Sequence, residues 1–128
     1  MLAPCSWIDL LGISVLAGLG EETFFRGVLQ AAITRWFNNN VWIGIIAASI
    51  LFGLMHSITF TYALLATLMG GYLGWVWIWA DHNLLVVVIT HGLYDFVVLL
   101  WLLRGPGAAD ALDALHERQE KEKSEDPK

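Results

Sequence analysis

Five ionisable side chains stand out in a chain that carries little charge along most of its length: Glu21, Glu22, His56, His91 and Asp95. Their types are those of a hydrolytic site. Paired carboxylates and imidazoles can move a proton from and to water, and preorganised donors can hold charge developing on a carbonyl oxygen. Glu22 and Arg26 lie four apart with the acid first, the favoured order for an ion pair on one helix face. Glu21 points about 100° away from Glu22 and has no such local partner, although a shared Arg26 or a solvated helix start would also account for two adjacent acids. His56 closes an apolar segment, with Phe52 one turn earlier on the same face, and taken alone it reads as structural. His91 and Asp95 are one turn apart, well inside an apolar stretch. That pair suits proton transfer, metal binding or anion stabilisation equally.

The stretches that hold these groups look like membrane helices. The chain has 128 residues, 57% hydrophobic and 15% charged, against about a quarter charged in an ordinary soluble domain. Residues 7 to 103 hold only Asp9, Glu21, Glu22, Arg26, Arg35, Asp81 and Asp95, while the last 25 residues hold twelve charges, five basic and seven acidic. A span of the hydrocarbon core needs about 20 apolar residues. Phe60 to Ala80 supplies 21 without a charge, and Leu84 to Leu103 supplies 20 interrupted only by His91 and Asp95. Val41 to Met55 is shorter, and Trp7 to Phe37 longer, with Gly18-Leu19-Gly20 a plausible kink before Glu21. A soluble bundle would show polar faces at the helical period, and residues 60 to 80 show none.

The expectation is an all-α, polytopic transmembrane bundle of about four helices, the first in one or two pieces. Short connectors at 38–40, 57–59 and 81–83 make neighbours antiparallel. Residues 1–104 form the membrane core and 105–128 a polar tail, with a short amphipathic helix over 108–118 and disorder over 119–128. Gly70, Gly71 and Gly74 suit close helix packing, and Trp75, Trp77 and Trp79 an interfacial belt. Cys5 reads as an unpaired, packed thiol, no cleavable signal peptide is expected, and no basic cluster points to nucleic acid.

Depth arithmetic draws the polar groups together. From the membrane face that holds residues 38–40 and 81–83, Glu22 and His56 lie roughly 24 Å away, Asp95 roughly 18 Å and His91 roughly 12 Å. In a core about 30 Å thick, all fall in one band leaning toward the opposite face.

Three motifs in order carry a resemblance. Glu21-Glu22-Thr23-Phe24-Phe25-Arg26-Gly27 resembles the EExxFRG motif of the CPBP intramembrane protease family, which includes the CAAX prenyl endopeptidases and bacterial Abi proteins. Phe52-Gly53-Leu54-Met55-His56 is similar to its FxxxH motif, and His91-Gly92-Leu93-Tyr94-Asp95 to its HxxxN/D motif. The likeness spans about residues 10 to 103. Family members usually carry further membrane helices upstream of the paired glutamates, so a shortened family core is one expectation here.

The resemblance implies an intramembrane endopeptidase. Glu21, with His56, would activate a water for attack on a peptide carbonyl; Glu22 would pair with Arg26 and orient the first helix; His91 and Asp95 would stabilise the oxyanion, and Phe52 would support the site. An ionised Asp95 cannot donate a hydrogen bond, so it would be protonated or would hold His91 in the correct tautomer. No cofactor is expected; the alternative is zinc on His56, His91 and Glu21. The partners expected are membrane lipids and a membrane-associated peptide or protein substrate. An inner or plasma membrane location with a cytoplasmic tail follows from the basic residues after Leu103. A non-catalytic immunity or scaffold protein and a proton or ion pathway are the other functional classes open to the same buried acids.

Overall fold

The computed structural model describes residues 6–105, 107, 114 and 116–121. Among them there is no strand. The elements are α1 (Trp7–Glu22), a π-helical segment (Thr23–Gln30), α2 (Ala31–Trp36), α3 (Val41–Met55), α4 (Phe60–Trp79) and α5 (Leu84–Arg104). The first three run without a break.

Each helix starts where the sequence supplies a cap. Ser6 and Asp9 form a reciprocal capping box at α1, with Ser6 N–H donating to Asp9 at 2.8 Å and Asp9 N–H to Ser6 Oγ at 3.2 Å. Asn40, Thr59 and Asn83 open α3, α4 and α5, each accepting a backbone N–H on its side-chain oxygen. The 38–40 and 81–83 connectors share one shape. In both, two successive residues take left-handed backbone: Asn38 and Asn39 (φ 53° and 60°), then Asp81 and His82 (φ 53° and 64°). Asn, Asp and His are the non-glycine residues that enter this region most readily.

α1 packs against α5 and α3 against α4, and α4 and α5 touch less extensively. Close approach rests on small residues. A Cβ on Gly18 would sit 3.0 Å from the Val88 carbonyl and 3.2 Å from Gly92 N; one on Gly70 would sit 3.2 Å from Ser49 Cα. Hydroxyls inside the apolar helices fold back on their own turn, as Ser14 does on the Leu10 carbonyl at 2.8 Å and Thr90 on that of Val86 at 2.8 Å. In lipid, that satisfies groups water cannot reach.

Outward faces are apolar throughout: Leu16, Leu68, Leu85 and Trp101 are all more than 60% exposed. Exposed apolar surface on this scale marks contact with lipid or a partner rather than water. α4 and α5 are long and apolar enough to cross a membrane, while α3 is shorter.

Three expectations change. α1 passes through Gly18, Leu19 and Gly20 without a break, and the departure from α geometry begins instead at Thr23. Trp77 is buried and packs edge-on against His82 at 4.6 Å between ring centroids, so only Trp75 and Trp79 of the three face outward. Residues 116–121 are helical, past the boundary set at 118. Cys5, residues 108–113 and 115 of the amphipathic stretch, and 122–128 lie outside the described residues.

Candidate active site

Apart from Phe25, the buried positions of the long first helix recur every four residues: Leu10, Ser14, Gly18, Glu22, Arg26, Gln30. In an α-helix each four-residue step advances about 40° beyond a full turn, so over twenty residues such a stripe would wind onto the opposite face. The π segment, with its wider five-residue hydrogen-bonded turn, rotates less per residue. It keeps Glu22, Arg26 and Gln30 nearly in line. The stripe therefore meets α5 at Gly18 and reaches α4 from Arg26 onward.

At its centre is a fully buried ion pair. Arg26 Nη1 donates to Glu22 Oε1 at 3.1 Å, Arg26 Nε lies 3.1 Å from Glu22 Oε2, and the two side chains are 1% and 0% exposed. Arg26 Nη2 donates to the Gly70 carbonyl of α4 at 2.7 Å, and its guanidinium lies 5.2 Å from the centre of the Phe52 ring. Gln30 Nε2 repeats the link one turn on, donating to the Gly74 carbonyl at 3.2 Å.

The second imidazole completes the network. His91 Nδ1 lies 2.7 Å from Glu22 Oε1. With Nδ1–H donating to that carboxylate, Nε2 is aimed at two more acids, 3.4 Å from Asp95 Oδ2 and 3.9 Å from Glu21 Oε2. His56 is oriented separately. Its Nδ1 donates to the Phe52 carbonyl at 2.8 Å, which leaves Nε2 as a lone-pair acceptor 3.7 Å from Glu21 Oε2. Phe52 stacks on the His56 ring at 4.4 Å and meets Phe25 edge-on at 4.9 Å. It sets both the guanidinium and the imidazole.

All five candidate residues thus lie together, with Arg26 and Phe52 behind them, but in two layers. Glu22 and Arg26 are sealed. Glu21, His56, His91 and Asp95 line a cavity of about 380 Å³ between α4 and α5, whose remaining wall is mainly apolar, including Leu65, Met69, Val98 and Leu102. The depth ordering needs correction, because His91 stands level with Glu22 rather than roughly 12 Å nearer the 38–40 face. Axial rise locates only the backbone of straight, upright helices, whereas the Glu22 and His91 side chains reach across from α1 and α5 to meet at 2.7 Å.

Glu22 also does more than pair with Arg26, since it is the acceptor that orients His91. Among the described residues, no three His, Cys, Asp or Glu side chains are arranged to hold a metal ion. Three contributors escaped the sequence reading. Tyr62 and Tyr94 line the cavity, with the Tyr62 ring 6.1 Å from that of His56, and Gln30 is fully buried. Gln30 was findable, since it continues the four-residue step from Glu22 and Arg26 in an apolar helix.

The fold and site define a helical protein with lipid-type outer faces and a converged acid–imidazole cluster on an internal cavity. A family profile described as type II CAAX prenyl endopeptidase Rce1-like matches residues 3–97, most of the chain, and the chain belongs to that family. Its members are membrane-embedded CAAX-type proteases. No curated protein and no solved structure matches the chain significantly.

Proposed function

We propose that the chain is an intramembrane endopeptidase that hydrolyses a peptide bond at or within the membrane, using water activated by Glu21 and His56. The observation that carries this reading is the setting of Glu21 Oε2, 3.7 Å from His56 Nε2 and 3.9 Å from His91 Nε2 on the wall of the cavity. Those separations are too long for direct hydrogen bonds and suit a water held between the groups. Glu21 takes a proton from that water as its oxygen attacks the peptide carbonyl, then returns the proton to the leaving amine. His91, held by Glu22 on Nδ1, offers Nε2–H to the oxyanion. Asp95 faces that same nitrogen at 3.4 Å, so its role is to hold His91 in the correct tautomer rather than to donate.

The reaction is written without a metal, because Glu21 beside His56 supplies the proton acceptor that water needs; zinc on His56, His91 and Glu21 is the alternative. The substrate is a membrane-associated peptide or protein that reaches the cavity from the lipid. The protein is multi-pass in the inner or plasma membrane, with the C-terminal end from Arg104 onward, which carries five of the seven Lys and Arg residues, cytoplasmic and the cavity opening toward that side. Purified Glu21→Gln and His56→Ala variants, assayed beside wild type on a panel of membrane peptides, test this. Turnover should fall by about 10²–10⁴-fold. Equal behaviour of wild type and variants across the panel would remove the protease reading in favour of a scaffold or ion-pathway role.

A further inference from the structure

A second cavity lies at the opposite end of the bundle, where α2 and α4 finish. It has a volume of about 220 Å³, and its wall includes Thr34, Arg35, Asn39, Trp77 and His82. The catalytic reading uses none of these residues. The lining is rich in donors: a guanidinium, an indole N–H, a side-chain amide, an imidazole and a hydroxyl. Arg35 makes no ion pair with a described residue. Trp77 is 6% exposed, and its buried indole nitrogen has no acceptor among the described residues. An orphaned buried donor is uncommon and calls for a partner.

The height of the cavity narrows the choice of partner. Trp36, Trp42 and Trp79 stand on this end of the bundle, 86%, 63% and 72% exposed, as an aromatic belt does at the headgroup level of a bilayer. We propose that this cavity binds the phosphodiester group of a membrane phospholipid, with Arg35, Asn39 and the Trp77 N–H as donors to its oxygens. A phosphate group has two possible sources here, lipid and solution. The carbonyl ends of α2 and α4 converge on the site and disfavour high negative charge. A singly charged diester meets that condition better than free phosphate.

Native mass spectrometry of the full chain, incubated with a defined palmitoyl-oleoyl phosphatidylethanolamine, tests the assignment. The wild type should hold one lipid tightly. Arg35→Gln should weaken retention about tenfold, the loss of one charge-assisted contact, and Arg35→Lys should restore most of it. Arg104→Gln, at the other end of α5, should leave retention unchanged. Inorganic phosphate at millimolar concentration should not displace the lipid. Equal retention by wild type and Arg35→Gln, an equal loss in Arg104→Gln, or displacement by inorganic phosphate would each overturn the proposal.

Discussion

The buried pair of Glu22 and Arg26 gives a stability prediction that does not depend on catalysis. Arg26→Gln leaves Glu22, 0% exposed, with His91 as its remaining partner. Breaking a buried pair from one side costs about 3–5 kcal/mol, and the surviving His91 contact places this variant near the bottom, at about 3 kcal/mol. Glu22→Gln leaves the guanidinium with the Gly70 carbonyl and the Phe52 face but without its paired carboxylate, at about 4 kcal/mol. The double variant strands neither charge, so its cost should fall about 3 kcal/mol short of the sum, the upper end for coupled neighbours. Unfolding in mixed micelles by a denaturing detergent, followed by circular dichroism, measures all four corners of the cycle. Additivity within about 0.5 kcal/mol would show that the two side chains do not hold each other, and the site's inner layer would have to be redrawn.

Further outcomes follow from packing and from the cavity. Gly18→Ala drives a methyl into the α5 backbone and should cost about 1–3 kcal/mol. Gly12→Ala, with nothing within 4 Å, should be neutral or stabilising by up to about 1 kcal/mol; the same melting assay reads both, and equal effects would contradict the helix contact. Leu65→Trp fills the apolar side of the 380 Å³ cavity and should suppress turnover of membrane peptides without lowering the melting temperature. Turnover by the wild type should be unaffected by EDTA or 1,10-phenanthroline; loss on chelation with recovery on adding zinc would replace the metal-free mechanism.

Much of this arrangement could be read from spacing. The apolar runs gave α3, α4 and α5 nearly to the residue, since Asn40, Thr59 and Asn83 are strong caps placed just before them. The polar cluster was legible because lipid makes ionisable groups costly, so their grouping carried information. What stayed hidden depends on side-chain direction over long sequence separations. The bond from His91 to Glu22 joins residues 69 apart. Nor does Thr23–Gln30 contain a glycine–proline break or charge run to announce a π turn. Trp77 looked like its neighbours Trp75 and Trp79, yet two-residue steps around a helix point to different sides. Only packing against Val87 and His82 decides which one turns inward.

The π segment also bears on chain length. Removing one residue between Glu22 and Arg26 would leave them three apart, a spacing that still places both on one face of an α-helix. The wide turn can close to ordinary α geometry by giving up that residue, so the carboxylate and guanidinium would keep facing each other. The same deletion between Leu10 and Gly18 would swing everything before it by about 100° and pull the capped end off α5. Thr23–Gln30 thus holds slack in the register of the long helix, at the point where an inherited deletion would be absorbed with the least disturbance to the acids.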